Sequence, residues 1–200
     1  MTTVIPTSEY YILYKEPPQS LEEQARDLAY VVAQYSNNKV SAKFQEICDK
    51  KFEKLFQIFL ESRGKSYNVE YYEMLLKSLV PIILEIKNFY NCPRPGELAS
   101  IMGVNFKPED LKSANSPSYP SGHTIQAYVV AKMLSDQFPE HEKTLLKIAE
   151  MVAQSRIDRG VHFLSDIENG KEVAETLYRQ IKENLGGETP EYRLAYDIVD

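Results

Sequence analysis

With 200 residues, 43% hydrophobic and 26% charged, the chain has the size and balance of one globular domain, which excludes a disordered or fibrous protein. A domain this long buries roughly 70% of its unfolded surface, and Cys48 and Cys92 alone make neither a disulfide framework nor a zinc ribbon, so two reduced thiols are expected. The net charge of -6 excludes broad nucleic-acid binding, which needs a basic face, while leaving room for a small positive pocket.

In chain order, Met1 to Tyr10 lacks the basic and apolar regions of a secretory signal, so a cytoplasmic or otherwise unexported protein is expected. Ser20 and Glu23 form a capping-box signature ahead of Leu28, Val31 and Val32, predicting a first helix that ends near Asn37-Asn38. A second helix is predicted over 41–62, with Phe44, Ile47, Cys48, Phe52, Leu55, Phe56 and Phe59 on one stripe and Gly64 as the stop. The third is predicted over 69–90, with a bend at Pro81. Its most apolar stretch, Leu79 to Ile86, falls far short of the ~20 residues a membrane helix needs, so no membrane span is expected.

Residues 95–120 read as the least regular region, with a short helical turn over 108–112 and a loop rich in Ser, Asn and Pro. Helices are predicted again over 122–137, 140–156, 165–185 and 190–199. No stretch alternates as a strand does, so one all-α domain over 1–200 is the simplest account.

Three segments carry chemistry. The first, Lys87 to Pro95, brings an ammonium and the Arg94 guanidinium to the end of the third helix. A guanidinium fork and a compact ammonium neutralise a phosphoryl group by different means, although two cations there can equally serve the helix dipole. The second, Ser118 to Thr124, puts Ser121, Gly122 and His123 at a helix start, where backbone amides attract anions and a histidine can pass a proton. The third joins Ser155-Arg156 to His162 and to Ser165-Asp166. An aspartate four residues after a histidine can hold one ring nitrogen and leave the other free to attack; Ser165 and Glu168 can also form an ordinary capping box. Asp158 and Arg159 are expected to pair on the surface, and His141 to be a solvated helix-start residue.

Together these segments match the pattern K-x6-RP, PSGH and SR-x5-H-xx-SD, and the chain resembles the type 2 phosphatidic acid phosphatase superfamily, which includes bacterial non-specific acid phosphatases and vanadium-dependent haloperoxidases. The blocks span 87–166 and leave the first eighty residues uncovered. The resemblance implies a single-domain all-α helical bundle of the acid phosphatase and vanadium haloperoxidase type. It implies His162 as nucleophile, Asp166 as its orienting group, His123 as general acid and base, and Lys87, Arg94, Ser121, Gly122 and Arg156 as phosphate-binding residues.

The expected activity is metal-independent hydrolysis of small phosphomonoesters through a phosphohistidine, with no cofactor and with vanadate as an inhibitor. The expected partner is a small phosphorylated substrate, with no nucleic acid, no membrane span and a homo-oligomer admissible. Alternatives are a vanadium haloperoxidase using the same pocket, with vanadate as cofactor, and a non-catalytic phosphate-binding relative.

Overall fold

The computed structural model describes residues 15–184, and among them every regular element is helical. The expected helix over 190–199 lies outside the described residues. Helix α1 spans Leu21–Asn37 and opens on the expected capping box, in which Ser20 Oγ accepts from the Glu23 amide at 3.2 Å and the Ser20 amide donates to Glu23 Oε2 at 3.2 Å.

The predicted second helix is two helices, α2 over Ala42–Lys50 and α3 over Glu53–Glu61, separated by the extended-φ residue Lys51. Cys48, Phe52, Phe56 and Leu60 are all buried. At 100° per residue, such a spacing of four drifts by about 40° per step, so an unbroken helix would turn Leu60 roughly 120° away from Cys48. The interruption resets the phase and keeps all four side chains in the core.

Helix α4, Val69–Tyr90, has the expected bounds and runs on through Pro81, which lies on the exposed face. Asn68 Oδ1 caps its start by accepting from the Tyr71 amide at 3.0 Å, and Asn91 ends it with φ 47°. A helix follows inside the region expected to be irregular: α5, Pro95–Ile101. Pro at its first position and Glu97, whose Oε2 accepts from the Arg94 amide at 2.7 Å, are standard start signals. The short helical turn falls at Lys112–Ala114 rather than 108–112.

Helix α6, Gly122–Gln137, is the central element, packed against α7 (Glu142–Asp158), α8 (Leu164–Asn184) and α4. Thr124, Ile125, Ala127, Val130 and Leu134 are buried around most of its circumference, the pattern of a helix enclosed by others. The main core joins Phe56, Leu79, Ile125, Leu134, Leu145 and Leu177. Truncating such a leucine to alanine costs about 2–5 kcal/mol. A second cluster, Leu28, Val31, Leu98, Ile157, Phe163 and Ile167, ties α1 and α5 to the ends of α7 and α8, where the candidate site lies. Tyr67, Tyr71 and Tyr72 pack on one another, with ring centroids 4.9 and 5.1 Å apart.

Candidate active site

The site is assembled where α4 ends, α6 begins, and the chain passes from α7 to α8. Helix α7 closes with Gly160 at φ 70°, where the Gly160 amide donates to Ile157 O at 2.8 Å and the Val161 amide to Arg156 O at 3.1 Å. This paired closure needs a left-handed residue, and a Cβ at Gly160 would also meet Phe106 at 2.7 Å. The resulting turn sets His162 beside Arg156.

Helix α8 then starts with its orphan amides satisfied from two sides. Asp166 Oδ2 accepts from the Phe163 amide at 3.0 Å. Asp27 of α1 accepts from the Leu164 amide at 3.0 Å and from both the amide and the hydroxyl of Ser165. Ser165 therefore serves the contact with α1 instead of the expected capping box with Glu168.

His162 is 2% exposed. Its Nδ1 lies 2.8 Å from Asp166 Oδ2, which also accepts from Ser118 Oγ at 2.6 Å, and its Nε2 lies 3.0 Å from Arg94 Nη1. A guanidinium can only donate, so Nε2 accepts and the ring proton sits on Nδ1, facing Asp166. Burial and the surrounding Arg94, Lys87 and Arg156 push the His162 pKa well below its usual value. Burial raises Asp166 to about 6, against the opposing pull of Ser118, the Phe163 amide and the two cations Lys87 and Arg94. The neutral imidazole thus keeps a lone pair on Nε2.

The three cations converge from different elements. Lys87, in the last turn of α4, donates from Nζ to the carbonyls of Pro117 at 2.6 Å and Ser118 at 2.9 Å. Its burial, then the nearby Arg94, lowers its pKa to about 7. Arg94 precedes α5 and donates from Nε to Ser116 O at 2.9 Å and from Nη1 to Val161 O at 2.7 Å. Arg156, fully buried at the end of α7, donates from Nη1 to Asp49 Oδ1 at 2.6 Å and from Nη2 to Ser113 Oγ at 3.0 Å.

Ser121 caps α6 by accepting from the Thr124 hydroxyl at 3.0 Å and the Thr124 amide at 3.4 Å. A Cβ at Gly122 would meet Ile83 at 3.2 Å, so glycine lets the start of α6 approach α4 and Lys87 closely. His123 follows, with Nε2 2.9 Å from the Asp49 carbonyl and its ring 6.0 Å from the Phe52 ring. A carbonyl only accepts, so Nε2 carries the proton and Nδ1 is the nitrogen free to exchange one. Burial first, then Arg156, drops the His123 pKa to about 3.

All eight residues singled out from the sequence therefore meet in one region. Ser118, from the second segment, also contacts it, as do Asp49, Ser113 and Asp27, which had no motif to mark them. Asp158 and Arg159 do not pair on the surface: both are only 9% exposed, Arg159 binds Glu109 and the Gln45 carbonyl, and Asp158 accepts from Gln154 at 2.8 Å. His141 is half-buried, its ring edge-on to Phe59 at 5.4 Å, rather than solvated. Among the described residues no group of three or more His, Cys, Asp or Glu is placed to hold a metal ion.

Comparison with known proteins gives three findings. The PAP2 superfamily model matches residues 72–173. Non-specific acid phosphatases of Providencia stuartii and Salmonella typhimurium are 36% identical over 88 residues and 31% identical over 97 residues, matches that cover 44% and 48% of this chain. Those matches cover only 35% and 38% of the two relatives' own lengths.

A transmembrane PAP2 type phosphatidylglycerolphosphate phosphatase from Bacillus subtilis has the same fold, with a TM-score of 0.56 at 20% identity over 82% of this chain and 87% of that one. This likeness overturns the expectation of a cytoplasmic or otherwise unexported protein, because the fold is also carried by a membrane enzyme and the lack of a signal-like start assigns no compartment. No described helix is long and apolar enough to cross a membrane. With the family pattern matched across half its length and the all-α fold shared, the chain belongs to the PAP2 superfamily.

Proposed function

We propose that this protein is a phosphatase that hydrolyses phosphomonoesters through a phosphohistidine on His162, without a metal ion. The observation that carries the proposal is the state of His162: Nδ1–H is engaged by Asp166, and the Nε2 lone pair faces Arg94. In-line attack by Nε2 on phosphorus forms the P–N bond as the ester P–O bond breaks, and the departing oxygen takes a proton from His123. His123 then removes a proton from water, whose oxygen attacks phosphorus and breaks the P–N bond to release inorganic phosphate.

The three cations supply the charge stabilisation that phosphoryl transfer needs. Lys87, Arg94 and Arg156 would hold the phosphoryl oxygens, with Ser121 and the Gly122 amide at the α6 start beside them. Burial first, and then the nearby cations Arg156 and Lys87, keep His123 neutral. A phosphoryl anion bound there offsets that positive field and raises the His123 pKa, so substrate binding itself loads the general acid. The similarity to acid phosphatases supports small phosphorylated molecules as substrates, and the packing of both cores supports one domain acting as a unit.

The test is turnover of p-nitrophenyl phosphate in excess chelator, with trapping of a base-stable, acid-labile phosphoenzyme by quenching in alkaline detergent. Activity should persist, and His162→Ala should abolish both turnover and the trapped species. Loss of activity on chelation would sink the metal-free mechanism, and a phosphoenzyme surviving in His162→Ala would sink the assignment of the nucleophile.

A further inference from the structure

Asp49 belongs to none of the three sequence blocks and lies ahead of residues 72–173, the stretch the family model covers. It is nevertheless in contact with both the cationic and the proton-transferring parts of the site. Its carboxylate accepts from Arg156 Nη1 at 2.6 Å and from Ser113 Oγ at 2.5 Å, while its main-chain carbonyl meets His123 Nε2 at 2.9 Å. The pair is enclosed: the Arg156 side chain is 0% exposed and that of Asp49 8%. Burial pushes the Asp49 pKa up, but the Ser113 hydroxyl and the Arg156 guanidinium more than offset this and hold it below its usual value.

The arrangement around Arg156 is uneven. Nη1 and Nη2 are each engaged on the side of Asp49 and Ser113, whereas Nε is buried without a partner among the described residues. A buried donor left unpaired is costly and calls for an acceptor. A planar guanidinium held at both Nη atoms is fixed in orientation, which fixes the direction of its Nε–H.

We propose that Asp49 is a positioning residue that holds Arg156 by the Nη edge, so that the unpaired Nε–H is presented to a substrate phosphoryl oxygen. This rests on the reading of Arg156 as a phosphate-binding residue. The Asp49 carbonyl at the same time fixes the His123 tautomer with Nδ1 free, so the end of α2 sets both a cation and the acid. The break at Lys51 allows this, because it directs Phe52 against the His123 ring instead of continuing the helix past the site.

The experiment compares wild type, Asp49→Asn, Asp49→Glu, Arg156→Ala and the double variant Asp49→Asn/Arg156→Ala. It reads KM and kcat for p-nitrophenyl phosphate, the inhibition constant of inorganic phosphate, and Tm. Asp49→Asn keeps the main-chain contact to His123 and loses the charge that orients Arg156. It should raise KM and the phosphate inhibition constant about tenfold, the size expected for losing a charge-assisted hydrogen bond, with a smaller fall in kcat. Asp49→Glu should recover part of the loss.

In the Arg156→Ala background the same change should have less than about a twofold effect, because the residue it acts through is gone. Equal effects in both backgrounds, no effect in either, or tighter phosphate binding in Asp49→Asn would overturn the proposal. If Arg156→Ala itself binds phosphate as wild type does, the reading of Arg156 falls instead. Should Asp49→Asn fail to fold, Ser113→Ala, which removes the bridge between Arg156 Nη2 and the Asp49 carboxylate, should show the same dependence on Arg156 at smaller amplitude, and additivity there would equally overturn it.

Discussion

His162 is held by Asp166, four residues away, with Ser118 and the Phe163 amide bracing that carboxylate, whereas His123 is held by a carbonyl 74 residues away on α2. The first histidine is oriented by a carboxylate one turn away that is itself braced twice at a helix start. The second depends on how one short helix docks. That bracing makes the nucleophile's geometry insensitive to distant changes, and the single distant contact makes proton transfer sensitive to them.

Asp166→Asn attacks the first arrangement at its centre. An amide can present its NH2 to Nδ1 and stabilise the wrong tautomer, so kcat should fall about 10³-fold or more with Tm little changed, by analogy with other His–Asp pairs. Stopped-time assays with p-nitrophenyl phosphate check this, and a kcat within tenfold of wild type would contradict the tautomer argument.

The second arrangement is probed by His123→Ala, which should cost about 10²-fold with alkyl phosphates and far less with p-nitrophenyl phosphate, whose leaving oxygen needs no proton. A series of leaving groups of graded pKa measures the difference, and a uniform loss across the series would remove His123 from the acid role.

A smaller effect lies between the two histidines, at Lys87. Its pKa is lowered from 10.5 to about 7, so it is charged below that pH and neutral above it. Phosphoryl binding needs the charge, and kcat/KM should therefore decline as pH rises through about 7. Lys87→Arg, which keeps its proton, should move that limb to higher pH when the same substrate is used; an unmoved limb would assign it to another group.

Much of this was open to reading from residues alone, for physical reasons that also mark where the reading stops. Helices such as α1, α4 and α6 announce themselves by caps and stripes, and the reactive residues stand out because phosphate chemistry demands specific types in fixed order. The division of 41–62 into α2 and α3 is not visible in that way: an apolar i, i+4 row looks continuous until the accumulated 40° drift is charged against a fixed core. Helix α5 is legible in Pro95 and Glu97, a proline at the first helical position with a glutamate two residues on, although the surrounding Ser, Asn and Pro favour a loop. Asp49 and Asp27 are not legible, since a lone carboxylate on an amphipathic helix is usually solvated, and only tertiary packing shows which one meets a buried guanidinium or a helix start.

The carboxylate of Asp27 that caps α8 has a consequence for the order in which the molecule is built. Asp27 and Ser165 are 138 residues apart and Asp49 and Arg156 are 107 apart, so both contacts close long loops whose entropy must be spent before they form. The α6–α7–α8 core can gather from nearer partners first. Catalytic competence then arrives late in folding, when α1 and α2 close onto α7 and α8, and regain of activity should lag regain of helical signal.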